Sequence, residues 1–508
     1  MKQKLTLFLT LLFFTGVNSQ TKTWKTSKAN GQFQGHSIEM LDKNTSEIVE
    51  LDFEAFKKQL QNAPLRGVST TLSNTIINLP DDQGKLQSFR ILEAPIFSAS
   101  LSAKYPEIKS YVGFSTDNSG AVVRMSISPK GVHTMISYKD KPTVFMQPLK
   151  DDVKNYVVYN RLSKTNLPKE EFICSTIDEI VNDTKIDKNN ITQRDADDQT
   201  LRKFRLAMSV NGEYTTYHGG TVAGALAAIN TTMARVNAVF ETDMAITFEV
   251  QDFPELIYTD AATDPYSGSL SAWNVELQNT LTNTIGNAAY DIGHLFGATG
   301  GGGNAGCIGC VCVDDTDSTT DENKGAGITS PADGIPEGDN FDIDYVAHEI
   351  GHQMGALHTW SFAAAGGAAN IEPGSGSTIM GYAGITTSDI QPHSDPYFSY
   401  YSILQITDNV TNTRLCWQSN SPVTLTNNPP NADAGSDYTI PQGTAYVLRG
   451  SATDAEGGDN LMYCWEQNDD GVVEILFPFS AYTENGYRSG GKLAYIDLEA
   501  VFQEKDSA

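Results

Sequence analysis

The stretch from His348 to Trp360 reads HEIGHQMGALHTW. On a helix, His348 and His352 stand one turn apart on the same face, so both imidazoles can reach one cation at about 2.0 to 2.1 Å. Glu349 is rotated about 100° from His348, which sets a carboxylate beside that cation to take a proton from bound water. Gly355 is the residue at which the helix can end in a left-handed conformation at least strain, letting the chain reverse and bring in His358 from another side. Three protein ligands leave a fourth position open, and an open position separates a catalytic zinc site from a closed structural one. The plainer reading, ordinary histidines on an amphipathic helix, accounts for His348 and His352 but gives no reason for Gly355 and His358 to follow at that spacing.

HEIGHQMGALH resembles the metzincin pattern H-E-x-x-H-x-x-G-x-x-H. Met380 in GSTIMGY is similar to that family's Met-turn, an apolar floor under the metal. The resemblance implies zinc held by His348, His352 and His358, Glu349 as general base, and protein or peptide substrates. Tyr382, two residues after Met380, matches the tyrosine that in the astacin and serralysin groups binds zinc or stabilises the tetrahedral intermediate. The segment Tyr290–Phe296, the cysteines flanking the motif and the long upstream region look most like the reprolysin or adamalysin branch. In that branch an edge strand pairs with extended substrate; on sequence alone, Tyr290–Phe296 reads equally as an edge or a central strand, and His294 within it as a surface residue. Adamalysins carry Asp after the third His, whereas this chain has Thr359. A bridge between the regions of Cys312 and Cys416 resembles one common in reprolysins, leaving Cys307 and Cys310 as a further pair. The cluster Cys307, Cys310 and Cys312 could also be read as a metal knuckle, but it lacks a second C-x-x-C nearby.

The chain has 508 residues, enough for about three domain-sized units. Lys2 and Lys4 precede an apolar run from Leu5 to Phe14 and small residues at Val17 and Ser19, the layout of a signal peptide over 1–19. This predicts a secreted, extracellular protein, in which disulfides are favoured. Residues 20–194 read as a strand-rich propeptide, with alternation in Tyr111–Phe114, Ala121–Ile127 and His133–Tyr138. It closes in a polar, protease-accessible stretch around Arg194. Residues 195–420 read as an α/β (α+β) catalytic domain with a mixed sheet and an active-site helix. Its predicted order is strand Phe204–Val210, helix Thr221–Phe240, strand Met244–Val250, helix Ser269–Ile285, strand Tyr290–Phe296, the His helix, and a helix from Tyr400 to Val410. After the Asn427–Pro430 linker, residues 429–508 resemble a PKD-type immunoglobulin-like β-sandwich with Trp465 as its core tryptophan, altered or truncated after 468. That resemblance implies binding of polysaccharide or protein.

A net charge of −27 opposes counterion-release binding to nucleic acid. No later stretch reaches the roughly 20 apolar residues of a membrane span. Cys174 in EFICST precedes the polar stretch; its thiolate could fill the open zinc position and hold the enzyme latent, or it could be a buried cysteine. Asp314, Asp315, Asp317, Asp321 and Glu322 could bind calcium, though they lack the spacing of a calcium loop and equally suit a solvated acidic loop. Two other functional classes compete with an endopeptidase: a zinc amidase or deacetylase, and an adhesin with a structural zinc site, against which Glu349 argues.

Overall fold

The computed structural model describes residues 23–27, 41, 45–67, 73–117, 119–139, 141–149, 152–161, 172–178, 198–316, 318–361, 369–436, 438, 439, 441, 446–455, 461–466 and 493–496. The signal-peptide layout, nearly all of the polar stretch around Arg194, Asp317, and most of the chain after 467 lie outside the described residues.

The N-terminal part is an antiparallel sheet of nine strands: β1 Trp24–Thr26, β2 Glu47–Leu51, β3 Ile76–Pro80, β4 Leu86–Glu93, β5 Lys109–Ser115, β6 Val122–Ser128, β7 Gly131–Ser137, β8 Val144–Leu149 and β9 Asp152–Asn160, in the order β1-β2-β9-β8-β7-β6-β5-β4-β3. Two short helices, α1 Phe53–Leu60 and α2 Ala99–Lys104, accompany it. The period-2 alternation of β6 explains its two faces. Val123, Met125 and Ile127 enter a core with Ile77, Phe89 and the α1 residues Phe56 and Leu60. Arg124 and Ser126 point the other way, to Glu241 and Thr231.

Those two partners belong to a long helix that follows the short α3, Gly212–Tyr217. This helix, α4, runs Val222–Met244, capped by the Thr221 hydroxyl, which accepts from the Gly224 amide at 3.1 Å. It ends four residues beyond the predicted Phe240, where Ala245 turns left-handed at φ 52° and delays the next strand to Ile246. Around it lies a second sheet: β10 Ile173–Cys174, β11 Thr200–Val210, β12 Ile246–Val250, β13 Ile292–Phe296, β14 Gly302–Asn304 and β15 Gly327–Ser330, ordered β10-β14-β15-β13-β11-β12. β16 Val423–Thr424 pairs with the start of β11. Pairings are parallel from β12 through β15, and β14 is antiparallel to β15, giving the mixed sheet. α5 Trp273–Thr284 contributes Trp273, Leu277 and Leu281 to the core on this sheet.

The edge is β14. β13 is central, between β11 and β15, and every residue in it is buried. This corrects the edge reading of Tyr290–Phe296. His294 is likewise not a surface residue: it is fully buried, with Nδ1 2.8 Å from Gln353 Oε1 and Nε2 2.8 Å from Thr329 Oγ1. The outer side of β14 is taken by β10, which runs parallel to it.

The two parts share one core. Phe97 just ahead of α2, Leu101 within it, and Met135, Phe145, Val157 and Tyr159 of the first sheet pack in the same apolar cluster as Ile229, Met233 and Phe240 of α4 and Ile350 of the His motif. In the tail, the described residues form two short pairs, β17 Asn431–Asp433 with β18 Ser451–Thr453, antiparallel, and β19 Met462–Trp465 with β20 Leu493–Ile496, parallel. The remainder of the sandwich expected there lies outside the described residues. No helix among the described residues is long and apolar enough to cross a membrane.

Candidate metal centre

A π-helical stretch, Asn340–Val346, leads into α6, Ala347–Met354. α6 ends at Gly355 with φ 124°, a conformation that L side chains rarely adopt, and the Gly355 amide donates back to the Gly351 carbonyl. The chain then reverses, with the Leu357 amide donating to Gln405 Oε1 at 3.0 Å, on helix α7, Tyr400–Asp408. This reversal brings His358 back onto the face that carries His348 and His352. The Nε2 atom of His352 lies 3.2 Å from that of His348 and 3.1 Å from that of His358. Each opposite nitrogen is committed: Nδ1 of His348 donates to the Ile379 carbonyl and Nδ1 of His352 to the Ala356 carbonyl, both at 2.7 Å, and Nδ1 of His358 donates to Asp178 Oδ2 at 3.1 Å. Three Nε2 lone pairs therefore face one another in a buried space, an arrangement that repels itself unless a cation sits between them. Burial, reinforced by His358, pushes His348 down to about 3 and His352 well below the usual histidine value, so both stay neutral and able to ligate. The donor set fits zinc.

Glu349 is fully buried beside this cluster. Its Oε2 accepts from the Thr176 hydroxyl at 3.2 Å, while Oε1 is enclosed without a hydrogen-bond partner among the described residues. Burial pushes its carboxyl up to about 8. The space it occupies depends on Gly303 of β14, where any Cβ would collide with the carboxylate. Cys174 comes close as well: its sulfur and one nitrogen of each of the three histidines lie within 4.8 Å of one another. Tyr382 turns its hydroxyl to His358 Nε2 at 2.9 Å.

Met380 is fully buried in the core that holds Ile350 and Met354. The segment Thr378–Tyr382 around it is pinned by Glu372, a buried carboxylate that accepts from the Thr378 amide at 3.0 Å, the Thr378 hydroxyl at 2.6 Å and the Ser377 amide at 2.9 Å. The Thr359 hydroxyl also donates to Glu372. Thr359 thus ties the residue after the third histidine to the Met-turn. Behind α6, Gln353 donates to the Gly293 carbonyl at 2.9 Å and meets His294, holding the helix against β13.

The structure brings His348, Glu349, His352, His358, Met380, Tyr382 and Cys174 together. The acidic run shows no such gathering. Asp314 pairs with Lys324, Asp315 Oδ2 accepts from Thr282 at 2.5 Å, and Asp321 from the Thr316 hydroxyl at 2.7 Å. Nothing supports calcium there. Disulfides join Cys307 to Cys310 and Cys312 to Cys416, so the knuckle reading falls. Thr176, Asp178 and Glu372 escape sequence reasoning because each meets its partner across a distance no local spacing encodes; Asp178, four residues after Cys174, is the one that its position could have flagged.

Residues 200–413 match the family model described as metallo-peptidase family M12B, reprolysin-like. No curated protein matches the chain. The match supports a reprolysin-like zinc metallopeptidase acting on proteins or peptides.

Proposed function

We propose that the chain is the zymogen of a secreted metzincin, a zinc-dependent endopeptidase with His348, His352 and His358 as metal ligands and Glu349 as general base. The observation that carries this reading is the convergence of three Nε2 atoms whose Nδ1 partners fix them as acceptors, with a buried carboxylate alongside. Zinc bound there supplies a Lewis acid that polarises the scissile carbonyl and acidifies a water. Glu349, buried beside the three histidines, would take the proton from that water and return it to the leaving amine. The Tyr382 hydroxyl, next to His358 Nε2, is placed to donate to the oxygen of the tetrahedral intermediate. The outer edge of β14 takes the substrate backbone by strand addition.

In the uncut chain the segment 172–178 stands in the way at each of these points. Cys174 fills the fourth position, Thr176 engages Glu349, and β10 covers β14. Cleavage near Arg194 starts activation. The C-terminal residues 429–508 act as a PKD-type module that holds the enzyme on polysaccharide or protein; deleting them should lower retention on such a surface and leave turnover of short peptides in place.

Glu349→Ala tests the mechanism: zinc content should persist while proteolysis disappears, and retained proteolysis would sink the assignment. For latency, uncut Cys174→Ala protein should cleave casein, whereas unchanged latency would remove Cys174 from the switch.

A further inference from the structure

Arg161, the residue after β9, is buried between three acceptors outside its own sheet. Its Nη1 donates to the Ser394 carbonyl, its Nη2 to Asp344 Oδ2 at 2.6 Å, and its Nε lies 3.1 Å from Asp339 Oδ2. Two carboxylates and a carbonyl set around a planar cation make a guanidinium receptor, since the rigid fork of Arg matches acceptors that a point charge would use poorly. On the side that stays after cleavage, the Ser394 amide and His393 Nδ1 donate to Asp344 at 3.2 and 3.1 Å, whereas the Tyr159 hydroxyl, which donates to Asp339 at 2.8 Å, leaves with Arg161. Arg235, whose field also reaches Asp339, is paired with Asp342 at 2.7 Å.

The receptor adjoins the metal centre. Asp344 stands four residues before His348, in the π-helical stretch that leads into α6, and its charge acts on that imidazole. Ser394 begins the segment that reaches Tyr397, whose carbonyl accepts from the Ile379 amide; the Ile379 carbonyl in turn holds His348. Tyr345, next to Asp344 in the chain, is stacked on by the Phe172 ring with centroids 3.9 Å apart.

Direction follows from the blocking strand. From its N-terminus it passes Phe172 beside Tyr345, then Cys174 at the histidines, then Asp178 at His358, and it runs parallel to β14. A substrate added in the more stable antiparallel sense runs the opposite way. Its residues after the scissile bond then lie on the side of Tyr345 and Asp344.

We infer that Asp344, Asp339 and the Ser394 carbonyl form a specificity pocket for a basic side chain, occupied in the uncut chain by Arg161, so that the mature enzyme cleaves on the N-terminal side of Arg or Lys. This rests on the proposed peptidase activity. Loss of Arg161 on activation removes the cation that both carboxylates face, and a basic substrate side chain restores that pairing.

The test is mass-spectrometric mapping of cleavage sites in a protein-derived peptide library by protein made as the full chain and then processed and freed of its upstream fragment, with the Glu349→Ala protein treated in the same way as background. Arg and Lys should be enriched immediately after the scissile bond, Arg the more strongly. For a matched pair of peptides with Arg or Leu at that position, Asp344→Asn should lower the ratio of their kcat/KM values at least about thirtyfold. Should Asp344→Asn fail to fold, judged by lost zinc content, Asp339→Asn reads the same ratio. Glu349-dependent cleavage without enrichment of basic residues, or a ratio unmoved in the variant that folds, overturns the pocket while leaving the peptidase intact. Absence of any Glu349-dependent cleavage overturns the enzyme reading itself, and the pocket with it.

Discussion

At the scale of single residues, Thr359 departs from the resemblance and the structure supplies its reason. Its hydroxyl shares the Glu372 carboxylate with Thr378, so one buried acid joins the end of the His motif to the Met-turn. Glu372→Gln replaces charge-assisted acceptors with weaker ones and should cost about 1.5 to 3 kcal/mol, read from the shift of the urea midpoint. Zinc affinity should fall with it, because His358 and Met380 lose their common anchor. The gathering of His348, His352 and His358 was legible in the sequence, since they and Gly355 lie within one helix and its turn. Glu372 was not, for its three partners are brought to it by a loop with no periodic signal.

At the scale of elements, strand β14 is three residues long and two of them are glycine, so neither alternation nor propensity marks it. It pairs with β15, the strand whose place beside β13 makes β13 central, and the difference between an edge and a centre is decided by neighbours that the segment itself does not name. Helix α4 and strands β11 to β13, which carry long apolar runs, were legible to within a few residues. Gly303→Ala drives a Cβ into the space of the Glu349 carboxylate. Since displacing a catalytic group by about 1 Å can cost about a hundredfold, kcat/KM should drop on that order while zinc content holds. The disulfide Cys312–Cys416 closes a loop with a sequence separation of 104 around α6 and the Met-turn. Replacing both cysteines by Ala should lower stability by about 4 to 5 kcal/mol on the chain-entropy account, measured by denaturant unfolding under oxidising conditions.

At the scale of the whole molecule, charge is divided along the chain: residues 20–194 hold 23 Lys and Arg against 20 Asp and Glu, and residues 195–420 hold 6 against 28. The contacts between the parts follow that division. Arg66 and Arg124 meet Glu241 at 2.6 and 2.5 Å, and Arg161 meets Asp339 and Asp344. Burial alone would raise the Glu241 carboxyl, but Arg124 and Arg66 outweigh it and hold the group down at about 2, against 4.5 when free. A depressed carboxyl contributes stability that is complete above its free value and lost as the pH falls through its folded one. On the order of 3 kcal/mol should therefore leave the uncut protein between about pH 4.5 and 2, and Arg124→Met should flatten that part of the stability profile. Composition showed the imbalance; only the fold shows that it is an interface. The core common to both parts carries a kinetic corollary. On the zymogen reading proposed above, a cut between 179 and 197 would sever one covalent connection and leave that apolar contact whole, so the fragments should persist as a complex with a dissociation constant of its own. Freshly nicked protein should then show a lag before activity appears, and its specific activity should climb on dilution, as expected where each departed fragment can rebind any other copy.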